Sequence, residues 1–387
     1  MKIITWISAI FLGLGTSLAI TAMSLASTPE SLYSTTKIIG LDQIVGIQYF
    51  KESDYSDRVE GLYAGYVASL EDANTMYLSA EKAQIYKMQQ QGQEKGVGIK
   101  FSWGISSQYL VVTEVIENSP AYFANIAVGD RILQIDDTLC MLSNELEIYE
   151  KLTYTGEDSV IYTIQKQDKS ITEVPLIPTY ITYTSVKTQI LDEDIGYIEV
   201  INLNTGSTDI IKNQIESFKY RGVNSFILDV RYLDDAKFEE VVLLTDLFMD
   251  DGIMFSSVDK QGKVIEYAST TSKINNQVAI LTNSTTAGTI EIMVEALKPD
   301  PSIFIVGNST KGIGTASEFI ELDDGSALII STKQLYVDNL EQSPIEPEVV
   351  VSLDTQYTLN LVTYGTKDIT LDNQITTAIN ILKGEDA

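Results

Sequence analysis

Apolar residues along this chain change their spacing several times, and each change predicts a different element. Ile3 to Ala26 is an almost unbroken run of apolar and small residues with no polar stripe, preceded by Lys2. As a helix it would span about 36 Å at roughly 1.5 Å per residue, enough for a hydrocarbon core of about 30 Å. From Thr28 to about Tyr55 the pattern is polar with scattered apolar residues, suiting a linker and a first helix. Leu62, Tyr63, Tyr66 and Val67 recur at three-and-four spacing and predict an amphipathic helix over Val59 to Val67. A turn cluster from Ser69 to Thr75 separates it from a second helix, Ala80 to Gln91, stopped by Gly92.

Between Gly96 and Lys169 the pattern turns to short β-rich runs, such as Tyr109 to Ile116, Arg131 to Ile135 and Val160 to Gln165. Ser119-Pro120-Ala121 opens a short helix, with Ser as cap and Pro at the first position. Beyond it, strands and helices alternate. Strands are expected at Ile195 to Ile201, Ser225 to Val230, Val278 to Leu281 and Ile303 to Val306. Helices are expected at Ser207 to Tyr220, Glu239 to Met249 and Thr289 to Leu297. The continuous apolar strands imply a largely parallel sheet covered on both faces.

Composition removes most chemistry. The 387 residues hold 26 Lys+Arg against 54 Asp+Glu, a formal charge of −28 that repels phosphate backbones and argues against nucleic-acid binding. There is no His, so Ser-His-Asp, Cys-His and His-ligated metal mechanisms are all excluded. The single Cys140 excludes an internal disulfide. No cofactor is implied. Asp229 with Asp234 and Asp235 lacks the spacing of a calcium loop and reads as a solvated acidic turn. The terminal run has two readings, an uncleaved anchor over residues 3–26 or a signal peptide cleaved after Ser24-Leu25-Ala26. Both place the body outside the cytoplasm, membrane-anchored or secreted.

From about Glu60 to Val351 the ordered motifs resemble the C-terminal processing peptidases, the tail-specific serine endopeptidases with an inserted PDZ domain. Glu60-Gly61, Ser69-Leu70-Glu71-Asp72 and Thr75-Met76-Tyr77-Leu78 resemble the family's amino-terminal helical signature. Asn118-Ser119-Pro120-Ala121, Ala124 and Val128-Gly129-Asp130-Arg131-Ile132 are similar to its PDZ helix and turn, with Asn125 where the family has Gly. Leu322 to Leu328 and Pro344 to Val349 are similar to its carboxy-terminal strands. The resemblance implies an α+β multidomain fold. Residues 1–27 are the anchor or signal peptide and 28–92 a small helical region. A β-rich PDZ domain over 93–172 is then inserted before an α/β, ClpP/crotonase-like core over 173–387. The loop Gly96-Val97-Gly98-Ile99 is expected to turn N–H groups onto a peptide carboxylate, with the peptide adding as a strand.

The family cuts with a Ser nucleophile and a Lys base, and both positions differ here. Aligning Asn283 to Ile292 on the family's Ser-Ala-Ser-Ala-Ser-Glu-Ile stretch, through Glu291-Ile292, places Gly288 at the nucleophile. Aligning Val306 to Thr315 on its Lys loop places Ile313 at the base and Ser317 at the position of a following Gln. The Gly pair of its oxyanion loop is missing from Asp229 to Ala236. The expectation is a pseudoprotease that binds peptide or protein C-termini, with an active relative as a further candidate partner. The alternative is a displaced dyad of Thr289 or Thr286 with Lys311. It assumes an extended loop in which Lys311 points to the same side as Ile313.

Overall fold

The computed structural model describes residues 29–385 except 105, 107, 271, 272, 339, 342 and 365–367. The run Ile3 to Ala26 lies outside the described residues, and with it the anchor and signal-peptide readings. Among the described residues no helix is long and apolar enough to cross a membrane. The chain divides into two compact units, one ending at Tyr66 and one beginning at Val67. The first holds α1 (Pro29–Gln48) and most of α2 (Tyr55–Ala68), tied by Arg58 Nε donating to Asp42 Oδ1 at 2.9 Å.

The second unit starts with β1 (Met76–Leu78) and α3 (Ala80–Gln89). β1 corrects the helical reading of residues 28–92. It pairs antiparallel with Ala327–Ile329 and belongs to a core sheet, a pairing that a three-residue run cannot announce locally.

The inserted domain enters through β2 (Gln93–Gly96) and leaves through β9 (Thr179–Thr182), which pair with each other. Between them lie β3 (Ile99–Trp103), β4 (Leu110–Val115), α4 (Pro120–Phe123), β5 (Arg131–Ile135), β6 (Thr138–Leu139), α5 (Glu145–Leu152), β7 (Val160–Gln165) and β8 (Ile171–Leu176). Their sheet order is β3-β4-β5-β7-β8, so β3 is an edge strand. Ser119 caps α4 as its sequence requires, its Oγ accepting from Tyr122 N at 3.2 Å. Leu110, Val112, Ile132, Ile135, Ile148 and Ile164 fill the domain's own core. Buried among them, the Cys140 thiol is pushed up to about 12 by desolvation and is no nucleophile.

The core alternates β10 (Val186–Leu191), β11 (Ile195–Val200), α6 (Ser207–Tyr220), β12 (Ser225–Asp229), α7 (Phe238–Phe248), β13 (Ile253–Asp259), β14 (Val264–Ala268), β15 (Gln277–Thr282), α8 (Thr289–Leu297), β16 (Ile303–Gly307), β17 (Thr315–Glu321), β18 (Ala327–Val337), β19 (Leu340–Glu341), β20 (Val349–Val350), α9 (Thr355–Tyr364) and α10 (Asn373–Lys383). One sheet runs β10-β11-β12-β15-β16-β20, parallel from β11 to β20, with antiparallel β10 at its edge. A second, antiparallel sheet gathers β1, β13, β14, β17 and β19 around β18.

The parallel strands are buried on both faces, which is why they read as unbroken apolar runs. Phe226 and Leu228 of β12 face Ile211, Ile215, Leu244 and Ile290 of helices α6 to α8. Ile227 between them faces Ile375, Ala378 and Leu382 of α10. Each such side chain contributes about 1.5–3 kcal/mol by leaving water.

Candidate functional site

The parallel strands deliver three loops to one place. β15 ends at Thr282, and Asn283 Oδ1 then accepts from Thr285 N and Thr286 N, both at 3.1 Å, in a tight side-chain turn. Its far end is Gly288, at φ +75° and ψ −140° immediately before α8. Side-chain-bearing residues rarely adopt this backbone, yet it is the kind of sharp strand-to-helix turn that lifts a nucleophile out of a fold. On the expected alignment the nucleophile would stand here, and Gly288 has no side-chain atom to serve as one.

Glu291 binds this turn to the second loop. Its carboxylate is fully buried, with Oε2 accepting from Gly288 N and Ile313 N at 2.8 Å each. Oε1 accepts from Gly312 N at 2.6 Å. One side chain therefore ties Gly288 to Gly312 and Ile313 through three backbone N–H groups. Sequence reasoning used Glu291 only to fix the alignment; its three donors come from two loops that meet only in the folded chain.

Ile313, which the resemblance aligns with the base, is a half-buried hydrocarbon side chain. Ser317 stands where the family has Gln and is spent on structure: its Oγ donates to Asn74 O at 3.2 Å. It also lies 3.4 Å from Ser331 Oγ, joining β17 to β18.

The third loop meets the Gly288 turn through carbonyl groups. Leu233 O accepts from Ala287 N at 3.0 Å, and Ala236 O accepts from Thr289 Oγ1 at 2.6 Å. Asp234 O lies 3.6 Å from where a Cβ on Gly288 would sit. Carbonyl oxygens thus face the elbow where an oxyanion hole needs N–H donors. Asp235 is exposed as a residue, but its carboxyl packs against Tyr86 and takes a 3.1 Å hydrogen bond from Gln90 Nε2. That desolvation, with the neighbouring Asp234 charge, raises its pKa. Tyr86 is raised in turn, by burial and then by the charge of Asp235.

Asp229 corrects the reading of one solvated acidic turn. It is buried, and its oxygens take Arg231 Nε at 2.9 Å, Arg231 Nη2 at 2.6 Å and Tyr197 OH at 2.7 Å. Arg231 Nη1 continues to Asp372 Oδ2 at 2.9 Å and Gln374 Oε1 at 2.7 Å, tying β12 to α10. Burial opposes the Arg231 charge, but Asp229 and Asp372 more than offset it and raise its pKa. Among the described residues no cluster of three or more acidic or Cys side chains could hold a metal ion.

The displaced dyad is not assembled. Thr286 is fully buried and donates to Val230 O at 3.1 Å; Thr289 is committed to Ala236 O. Lys311 is exposed, and only its backbone N–H reaches this loop, donating to Thr286 O at 3.0 Å. The assumption of an extended loop fails at Gly312, whose φ of +83° breaks the alternation between Lys311 and Ile313. A Cβ at Gly312 would lie 2.4 Å from Pro344 Cδ, so close packing fixes glycine there.

In the inserted domain, Gly96 is part of β2 and pairs with Thr179, so it does not turn its N–H into a loop nest. Gly98 is the one left-handed glycine of the segment, at φ +79°. It lets the chain pass Ser119, whose Cβ would be 2.1 Å from a Cβ at Gly98. Val97 O and Gly98 O accept from Ala121 N and Ile116 N, while Ile99 opens the edge strand β3. Across from that edge, Phe101 meets Tyr149 of α5 with ring centroids 6.3 Å apart.

Residues 194–351 match peptidase family S41 and residues 86–161 match the PDZ domain. The chain is 24% identical over 333 residues to the carboxy-terminal processing protease CtpA of Bacillus subtilis, covering 85% of this chain and 71% of that protein. It is 27% identical over 282 residues to the chloroplastic carboxyl-terminal-processing peptidase 2 of Arabidopsis thaliana, covering 68% of this chain and 54% of that protein. A solved structure of a Bacteroides fragilis protein assigned as an S41 protease superposes with a TM-score of 0.59 at 16% identity, covering 87% of this chain and 92% of the other. The photosystem II D1 C-terminal processing protease gives 0.50 at 19% identity, over 85% and 91%. At these identities the two structures speak for the fold alone.

Proposed function

From a chain that joins a PDZ domain to a peptidase family S41 domain and resembles the C-terminal processing peptidases, we propose a pseudoprotease that binds peptide or protein C-termini without cutting them. The observation that carries this reading is the empty elbow. Gly288 has the backbone of a nucleophile turn but no side-chain atom, Ile313 aligns with the base, and Asp234 O lies 3.6 Å from where a Cβ on Gly288 would sit. An oxyanion site lined with acceptors opposes the developing charge.

Binding is assigned to β3. A peptide end adding along Ile99 to Trp103 would gain main-chain hydrogen bonds, with its terminal side chain between β3 and α5. So short a contact supports affinities on the order of micromolar to millimolar. We place the body outside the cytoplasm, on the strength of the apolar run at residues 3–26.

The test uses residues 28–387 with an unfolded protein substrate and a serine-directed acylating probe, alongside titration with apolar-ended peptides. No cleavage, no labelling and saturable peptide binding are expected. Turnover abolished by Lys311→Ala would overturn the reading in favour of the displaced dyad.

A further inference from the structure

We propose that the cleft between the β5–β7 end of the PDZ domain and helix α9 binds a compact oxyanion, carried as a phosphate or a carboxylate group. The cleft holds about 340 Å³ and is lined by Gly129, Arg131, Gln165, Lys166, Lys169 and Thr363, with no acidic residue in its wall. In a chain where acids outnumber bases 54 to 26, a cavity walled by three cations is against the grain.

Arg131 is the decisive residue. Arg58 and Arg231 each direct their guanidinium onto a carboxylate, at 2.9 Å and 2.6 Å. Arg131 is half-buried and has no hydrogen-bond acceptor for its guanidinium among the described residues. Its Cζ instead lies 4.5 Å from the centre of the Tyr109 ring. That ring is itself held in place: a Cβ on Gly104 would sit 2.1 Å from Tyr109 Cε2, so only glycine leaves room for it. A guanidinium held over an aromatic face keeps its N–H groups at its rim, where two of them can grip an oxyanion in parallel.

Two amines flank the fork. Lys166 Nζ donates to Asn125 O at 2.6 Å and Asp130 Oδ2 at 2.7 Å, which fixes the ammonium and leaves its third hydrogen uncommitted. Lys169 sits in the β7–β8 turn at φ +70°. The nearby carboxylates are occupied: Asp130 also accepts from Ala127 N, and Asp168 accepts from Ser170 N and Oγ. Counting both acids, the surroundings remain cationic by one charge. A single oxyanion held this way should bind in the range of about 0.1 to 10 mM. The cleft shares no residue with Gly96 to Ile99, so it is independent of the peptide-binding reading.

The experiment titrates residues 28–387, followed by NMR, with inorganic phosphate and separately with citrate, at constant ionic strength set with chloride. Saturable shifts confined to Gly129, Arg131 and the Gln165 to Lys169 segment are expected for at least one anion. Preference for phosphate or for citrate identifies which group the cleft takes. Arg131→Gln should weaken binding about tenfold, the loss of one bidentate contact at about 1.4 kcal/mol. Should Arg131→Gln fail to fold, Lys169→Asn removes a charge at a left-handed position that Asn tolerates, and should weaken binding about threefold. No saturable shift up to about 10 mM of either anion, or equal affinity in wild type and variant, overturns the proposal.

Discussion

Replacing Glu291 is the sharpest test of how the candidate site is held. Glu291→Ala removes a fully buried carboxylate that accepts from Gly288, Gly312 and Ile313. Hydrogen bonds to a charged acceptor contribute about 1.5–3 kcal/mol each, and a stranded buried donor costs about 1–3 kcal/mol. Simple addition overstates the loss, since Gly312 lies in a half-buried loop that can turn its N–H toward water. A net loss of about 3–5 kcal/mol is expected, comparable to removing one partner of a buried ion pair. At about 2–4 °C per kcal/mol, the core transition should fall by roughly 6–20 °C. The PDZ domain has its own apolar core, so its transition should stay in place. Glu291→Gln keeps the shape but points an NH₂ group at one of the three donors, and should lose about half as much. Differential scanning calorimetry reads the transitions, and hydrogen exchange at Gly288 and Ile313 localises the effect. A core transition within about 1 °C of wild type in Glu291→Ala would refute the assignment.

Gly288→Ser restores a hydroxyl where φ is +75°, and should cost about 1–2 kcal/mol in backbone strain because the space itself is open. Even combined with Ile313→Lys it should stay unlabelled by an acylating probe, since a missing oxyanion donor costs about 10²–10³ in rate and here an acceptor stands in its place. Asp235 has a raised pKa, so the folded chain holds its proton to higher pH than the unfolded chain, and ionising it costs stability as pH rises past the ordinary aspartate value of 3.8. Asp235→Asn should therefore stabilise the fold at pH 7, by no more than about 1 kcal/mol at this exposed residue, and raise the melting temperature accordingly. The gain should vanish below about pH 4, as a pH series of melts would show.

What the chain declares about itself depends on how local the cause is. Helices Ser207–Tyr220 and Thr289–Leu297 are legible to the residue, because their apolar spacing and flanking Gly206 and Gly288 are local signals. The two-faced burial of Ser225–Asp229 is legible for the same reason. Met76–Leu78 is not, since its partner Ala327–Ile329 lies some 250 residues away. The expected absence of a nucleophile and a base rests on Gly288 and Ile313, which can be seen in the sequence. The inverted polarity of residues 233–236 cannot, because identical residues could present either N–H or C=O to the elbow. Only the packing of Ala287 and Thr289 against Leu233 and Ala236 decides it.

The paired strands β2 and β9 have a consequence for how this architecture can be taken apart. Gly96 lies directly opposite Thr179, so the entire span from Val97 to Pro178 departs from and returns to neighbouring points, with Cα atoms about 5 Å apart. A two-residue turn closes such a gap. The inserted module is thus a detachable cassette on a ribbon stalk, and excising it should leave the flanking chain with no gap to bridge. Excision would also part Lys187 of β10 from Glu114 of β4, whose 2.6 Å hydrogen bond ties the cassette to the core beside the ribbon.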